Sequence, residues 1–214
     1  MPAALWVWLK TPSAEARIAQ CLFDMSHIVQ ECAWILEATG CDNSIGVYAL
    51  RREGDAKRQR INQLLADSLP LYSADTRDFE YLCDALDEVI DAMHRVVHHV
   101  RLYRSAGHLG RLPREAEVML KFIVRMGRRL ANLCDMLHPR YRDFGEAQHL
   151  HTLLSQDQQR IACISGKVRK FLLETYPTPT HLYEALRDLY IRLEEVSNRM
   201  QLVGTLALST VARR

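Results

Sequence analysis

The chain has 214 residues, which is enough for one or two domains with a sizeable hydrophobic core. Its 28 basic and 26 acidic residues give a formal net charge of +2, so the composition excludes the strong positive charge typical of nucleic-acid-binding domains. Its 9 glycines and 7 prolines lie in clusters between long uninterrupted stretches, which disfavours an all-β fold with its frequent turns.

Proline and glycine separate six long amphipathic stretches, and each stretch is predicted to form one helix. The predicted helices cover about residues 11–38, 45–68, 75–104, 113–138, 144–173 and 178–212. Thr-Pro pairs at Thr11 and Thr178 predict the N-caps of helices 1 and 6. Asp75 is the predicted cap of helix 3, and Gly40 is the predicted C-terminal cap of helix 1.

Apolar residues recur at spacings of three and four in helices 3 and 6, which indicates one buried face on each helix. In helix 3 they are Leu82, Leu86, Val89, Met93, Val96, Val97 and Val100, and in helix 6 they are Leu186, Leu189, Leu193, Val196, Met200, Val203 and Leu206. The segment 86–91 (LDEVID) is echoed by 193–198 (LEEVSN). We therefore predict an all-α, up-and-down six-helix bundle in one domain, built from two three-helix units over residues 11–106 and 112–212.

The cysteines and the apolar segments indicate a cytoplasmic protein. None of the 6 cysteines belongs to a Cys-x-x-Cys pair, so we expect free thiols and no zinc knuckle or thioredoxin-like site. The apolar segment 3–9 lacks the basic leader and cleavage site of a signal peptide. No run of about 18 apolar residues occurs, so no membrane-spanning helix is expected.

A row of polar side chains follows one side of predicted helix 3. At 100° per residue, the row consists of Glu80, Asp84, Asp87, Asp91, His94 and His98. Asp87 and Asp91 are one turn apart, so their carboxylates can approach one cation, and the imidazoles continue the row. Carboxylates with imidazole suit Fe, Mn or Zn, whereas carboxylates alone suit Mg or Ca. A solvated helix face without a ligand is the alternative.

Helices 1, 2 and 4 carry further charged residues that extend or compete with this row. In helix 2, Glu53 and Asp55 are candidate metal ligands, while Arg51, Arg52 and Arg58 form a candidate anion site. In helix 1 the candidates are Asp24, His27 and Glu31, and in helix 4 they are Arg125, Arg128 and Arg129. An ordinary charged surface is the alternative for each of these groups.

Several segments, taken in order, resemble the PhoU-like family of phosphate-transport regulators. They are the lead-in Met1-Pro2 with Lys10-Thr11-Pro12, the run 51–55 (RREGD), the segments 68–70 (SLP), 75–79 (DTRDF) and 86–91 (LDEVID), and the last helix from Leu193 to Arg213. The resemblance covers nearly the whole chain. It implies a helical bundle of two three-helix units, surface metal clusters held by acidic motifs, and a regulatory role beside low-affinity Pit-type phosphate permeases.

The resemblance also implies which residues belong to those acidic motifs. Glu53 and Asp55 match the acidic positions of helix 2, Asp87 and Asp91 match the first Asp-x-x-x-Asp motif, and Glu194 matches the start of the second. The second half departs from the pattern, because Asn198 replaces an acidic residue and the segment 155–159 (SQDQQ) keeps only Asp157. A divalent or iron-group metal is therefore expected in the first half.

Three functions remain open at this point. The first is a non-enzymatic regulator or adaptor of phosphate transport that binds a Pit-type permease or another regulatory protein and itself forms a homo-oligomer. The second is a ligand-free structural adaptor. The third is a ferritin-like di-metal oxidase, whose nearest Glu-x-x-His matches are Asp91 with His94 and Glu146 with His149; this enzyme would need them buried at the bundle centre.

Overall fold

A computed structural model describes residues 13–67, 74–176, 178 and 180–213. Within these ranges the chain forms six α-helices and no strand, which confirms the predicted all-α six-helix fold. The helices are α1 (Ala14–Thr39), α2 (Ser44–Asp67), α3 (Ala74–Ser105), α4 (Arg114–Asp135), α5 (Phe144–Thr175) and α6 (His181–Ala212). None of the helices in this described part has the length and hydrophobicity that crossing a membrane requires.

Two predicted N-caps are displaced by two residues along the chain. The N-cap of α1 is Ser13, whose hydroxyl accepts a 3.1 Å hydrogen bond from the Ala16 amide, and the N-cap of α6 is Thr180, which accepts one of 3.2 Å from the Tyr183 amide. Each Thr-Pro signal is followed within two residues by another hydroxyl residue, and that later residue caps the helix. Thr11 lies outside the described residues.

Of the two other predicted helix caps, Gly40 is confirmed and Asp75 is not. Gly40 ends α1 in the left-handed conformation with φ of 57°, as predicted, since glycine adopts this conformation without a steric cost. Helix α3 already begins at Ala74, so Asp75 lies inside the helix and the prediction that it is the N-cap is wrong.

The helices pack as two similar triplets joined side by side. Helices α1, α2 and α3 contact one another, as do α4, α5 and α6, and the triplets meet through α1 against α4 and α3 against α6. Where α1 and α4 cross, a Cβ atom on Gly127 would lie 3.2 Å from the Cα of Gln30, which explains a glycine inside this helix. Helices α2 and α5 therefore lie at opposite flanks of a central group of four.

One hydrophobic core runs through both triplets. The predicted apolar face of α3 is buried along its whole length, and that of α6 is buried except at the half-buried Leu186 and Leu206. Fully burying one such aliphatic side chain contributes about 1.5–3 kcal/mol to folding, so these two faces stabilise the join between the triplets.

Helices α3 and α6 correspond residue by residue. Both have 32 residues, and His181 and Ala212 follow Ala74 and Ser105 by the same 107 positions. Glu88 and Glu195 are separated by this offset as well, and each forms an ion pair with an arginine of the opposite helix, Glu88 with Arg199 and Glu195 with Arg95. Glutamates at equivalent positions of the two helices therefore both form ion pairs across the contact between the triplets.

Candidate binding surface

The predicted polar row of α3 faces α2, and three of its aspartates form ion pairs with arginines of that helix. Arg51 Nε lies 2.7 Å from an Asp91 oxygen, and the two terminal nitrogens of Arg58 lie 2.7 Å from Asp84 and 2.7 Å from Asp87. We call these five residues the α2–α3 ladder. It joins the candidate anion residues to the candidate metal ligands, so the two predicted sites are one surface.

Helix geometry explains the ladder. Arg51 and Arg58 are seven residues apart, about two turns, so both project from the same side of α2. Asp84, Asp87 and Asp91 share one side of α3, which runs antiparallel to α2. The residue nearer the start of α2 therefore meets the residue nearer the end of α3.

Burial is uneven along the ladder. The side chain of Asp87 is 15% exposed, whereas that of Asp84 is 50% exposed. Burial raises the pKa of Asp87 above its ordinary value; the Arg58 guanidinium opposes this shift, and the neighbouring Asp91 and Asp55 carboxylates add to it. The Arg58 guanidinium therefore offsets part of the cost of keeping Asp87 charged at this half-buried position.

The other predicted residues of α2 lie beside the ladder. Arg52, Glu53 and Asp55 are all exposed. Asp55 acts on the ladder through its contribution to the raised pKa of Asp87. These three residues can contribute to binding only at the solvent-facing rim.

His94 and His98 continue the row into a shallow cleft of about 280 Å³ at the start of α2. Its walls include Ile45 and Tyr48, and Tyr48 lies with its ring centroid 6.1 Å from that of His94. Burial, followed by the positive charge of Arg51, lowers the pKa of His94 below 6.5, so this imidazole is neutral at pH 7. The cleft combines apolar walls with the polar Ser44 and the cationic Arg101, and it lies next to the charged ladder.

The predicted metal ligands do not form one cluster. Glu194 lies in the other triplet, where it accepts hydrogen bonds from Ser165 (2.7 Å) and Arg169 (3.1 Å). Among the residues that the structure describes, no group of three or more His, Cys, Asp or Glu is placed to hold a metal ion. Metal binding at Asp87 and Asp91 stays a prediction, and it would require their arginine partners to move.

The helix 1 candidates make contacts outside the α2–α3 ladder. Asp24 accepts a hydrogen bond of 2.6 Å from Lys57, His27 packs edge-on against Phe23, and Glu31 is exposed. They do not extend the α2–α3 ladder.

The arrangement needed for a ferritin-like site is not formed by the residues proposed for it. Asp91 and His94 are half-buried in the groove between α2 and α3, while Glu146 and His149 are exposed at the start of α5. A carboxylate-bridged di-metal centre needs its ligands to point into the bundle core. This geometry disfavours the di-metal oxidase alternative.

The second triplet repeats the ladder with mostly neutral groups. Gln158 and Asn198, which follow Arg51 and Asp91 by 107 positions, share a 2.8 Å hydrogen bond. Ser165 bears the same relation to Arg58, and it donates to Glu194, the counterpart of Asp87. Both pairs of equivalent positions are thus bridged in each half of the chain. Only the first half bridges them with arginine–aspartate pairs.

Sequence reasoning missed a second charged centre. Asp157, treated as the remnant of an acidic motif, is buried and accepts hydrogen bonds from Arg125 and Arg129, two candidates of predicted helix 4 for which an ordinary charged surface was the alternative. A usable signal was present, since Asp157 continues the apolar series Leu150, Leu154 and Ile161 at spacings of three and four. A polar residue at such a position must find buried partners.

Neither comparison with known proteins identifies a relative. No protein-family model matches the sequence, and no curated protein matches it. Membership of the PhoU-like family therefore stays a prediction from the residues quoted above.

Proposed function

We propose that this protein is a non-enzymatic regulator or adaptor of phosphate transport that binds the cytoplasmic face of a Pit-type permease through α2 and α3. One observation carries the proposal: an ordered charged ladder adjoins an exposed apolar cleft on the same two helices. The six-helix arrangement of two similar triplets supports it, because the resemblance implies that architecture.

The cleft provides the anchoring contacts in this proposal. Ile45 is 81% exposed and Tyr48 is 53% exposed, so both lose water contact when a partner covers them. Tyrosine is enriched among the residues that dominate interface energies, and the surrounding charges provide orientation and specificity. A basic or acidic loop of the partner can exchange with the half-exposed ladder pairs, which are weak in water.

The ladder gives the proposed regulator a means of responding to ions. A divalent cation at Asp87 and Asp91 would displace Arg51 and Arg58 and leave their guanidinium groups, together with Arg52, free for an anion. Binding of cation and anion would then be positively coupled, and by linkage the coupling is equal in both directions. Ion binding changes affinity for the partner only if the two arrangements bind it differently.

A ligand-free adaptor is the second candidate. It is favoured by the pairing of Asp84, Asp87 and Asp91 with arginines, which leaves no carboxylate of the ladder without a cationic partner. In that case the ladder only joins α2 to α3, and the cleft alone binds the partner.

The experiment measures binding of the purified protein to a Pit-type permease in nanodiscs by biolayer interferometry. The test variant carries Ile45→Ser and Tyr48→Ser, and the matched control carries Ile191→Ser and Leu202→Ser, two exposed apolar positions of α6. We expect about tenfold or greater weakening in the test variant alone, as for hot-spot residues. Absence of binding by the unmodified protein, or equal effects in both variants, would overturn the proposal.

A further inference from the structure

Three arginines converge on one buried carboxylate between α4 and α5. The Asp157 side chain is 1% exposed and accepts hydrogen bonds from Arg125 at 2.8 Å, from Arg160 at 3.3 Å and from Arg129. Arg129 is fixed further by donating to the Leu153 carbonyl at 2.8 Å. We call Arg125, Arg129 and Arg160 the α4–α5 arginine cluster.

The cluster has more positive charge than its carboxylate can neutralise. One aspartate among three guanidinium groups leaves a local formal charge of about +2, since arginine stays protonated in proteins. The surrounding sequence adds to this imbalance. No acidic residue lies between Glu117 and Asp135, whereas this stretch has 4 basic residues, and Asp157 is the only acidic residue between Glu146 and Glu174, where 4 more basic residues occur.

The guanidinium groups are held in place but remain open to solvent. Those of Arg125 and Arg160 lie 4.4 Å and 5.8 Å from the centroid of the Phe122 ring, so one aromatic side chain positions both. Their side chains are 49% and 57% exposed. Each guanidinium has five N–H donors, and the contacts to Asp157 use only a part of them.

The cluster differs from the α2–α3 ladder in the sign of its surplus charge. In the ladder, two arginines meet three aspartates, which leaves a surplus of negative charge. The position 107 residues before Asp157 is Leu50, a buried apolar residue of α2. The arginine cluster is therefore a feature of the second triplet alone and is not explained by the repeat.

We propose that the α4–α5 arginine cluster binds a phosphoryl dianion, with Asp157 holding the guanidinium groups in place beneath it. A phosphoryl group carries a charge of about −1.5 to −2 at pH 7, which matches the surplus charge, whereas a carboxylate would leave half of it unbalanced. Its oxygens accept the paired N–H bonds that arginine donates in a plane. The site is separate from the surface proposed for the permease, so either proposal can fail without the other.

The test follows the arginine Nε–Hε signals by NMR while inorganic phosphate is added at constant ionic strength. The test variant is Arg125→Gln/Arg160→Gln, and the control with the same loss of charge is Arg111→Gln/Arg114→Gln, an exposed residue just before α4 and the exposed first residue of α4. We expect saturable shifts at the cluster arginines, weakened by about tenfold or more in the test variant and unchanged in the control. A second variant, Arg125→Lys/Arg160→Lys, keeps the positive charge but loses the planar guanidinium donors. It should bind phosphate with intermediate affinity, and it replaces the glutamine variant as the test if that variant folds poorly.

Two further titrations identify the source of the phosphoryl group. Titration with glycerol phosphate tests whether the ligand is a free phosphate ester, and titration with vesicles that contain phosphatidic acid tests whether it is a lipid headgroup. Binding of either probe supports the proposal if it depends on Arg125 and Arg160. Non-saturable shifts, or equal weakening in the control variant, would overturn it. Binding only to an acidic protein, with no response to any phosphoryl probe, would also overturn it.

Discussion

Gln158 of α5 donates a 2.8 Å hydrogen bond to Asn198 of α6, at the positions where the first triplet pairs Arg51 with Asp91. The bridge between the two helices is therefore kept while its charge is lost. Loss of charge removes the candidate ion-binding groups without removing the helix contact. Any ion response of the ladder type is thus confined to α2 and α3.

The neutral bridge should accept an ion pair in its place. We expect Gln158→Arg with Asn198→Asp to show a favourable coupling of about 0.2–1 kcal/mol in a double-mutant cycle, the value of a half-exposed pair. Chemical denaturation of the two single variants and the double variant measures it. A coupling of zero would show that the two bridges have different geometry.

Asp157 should be the most costly carboxylate to neutralise. We expect Asp157→Asn to lower the free energy of unfolding by about 1–3 kcal/mol, because three charge-assisted hydrogen bonds weaken at a buried site. Asp84→Asn, at a half-exposed carboxylate, is the matched control and should cost less than about 1 kcal/mol. Equal losses in urea denaturation would contradict the role assigned to burial.

His99 should make the protein less stable in mild acid. It is 5% exposed in the α3–α6 contact, its Nε2 lies 3.0 Å from the Ala185 carbonyl oxygen, and burial lowers its pKa below 6.5. The unfolded chain therefore binds a proton at His99 more readily than the folded chain does. The stability that the neutral His99 contributes is complete above the unfolded-state pKa of 6.5, and it falls as the pH drops from 6.5 toward the folded-state pKa.

The slope from one such histidine is at most about 1.4 kcal/mol per pH unit. Urea denaturation between pH 7.5 and 5.5 measures it, and His99→Gln should flatten the profile. His94 and His151, whose pKa values are also lowered by burial, should leave a residual slope. An unchanged profile in His99→Gln would contradict the assignment.

Metal uptake, if present, should depend on the ladder. We expect Asp87→Ala with Asp91→Ala to abolish bound metal in protein purified without a histidine tag, at a cost of about 1 kcal/mol in stability because the arginine partners reach solvent. Elemental analysis measures the metal, and Glu115→Ala with Glu174→Ala, at two exposed sites, is the control. Unchanged metal in the Asp87 and Asp91 variant would remove the site from α3, and a metal-free unmodified protein would favour the ligand-free adaptor.

The sequence predicted the helices and the polar face of α3 because both are properties of a single helix. Spacing placed Asp87, Asp91 and His94 on one side of α3, and they do lie along one groove. The arginine partners were not predicted, because pairing Arg51 with Asp91 depends on how far α2 slides along α3. No periodicity within one helix contains that information.

The surroundings of Asp157 were likewise only partly predictable from the sequence. Its apolar spacing indicated burial, but the arginines that compensate it lie on α4 and one turn farther along α5. The N-caps were displaced for a local reason, since Ser13 and Thr180, each two residues after the predicted cap, accept hydrogen bonds from the amides of Ala16 and Tyr183.

Photocrosslinking tests the central claim, that α2 and α3 form the partner surface, most directly. A photoreactive phenylalanine analogue replaces either Tyr48, in the cleft between α2 and α3, or Leu202, on the exposed side of α6. Each protein is irradiated with a Pit-type permease in nanodiscs, and crosslinks are mapped by mass spectrometry. The account predicts a crosslink from position 48 to a cytoplasmic segment of the permease and none from position 202. Crosslinks from position 202 alone, or none from position 48, would contradict it.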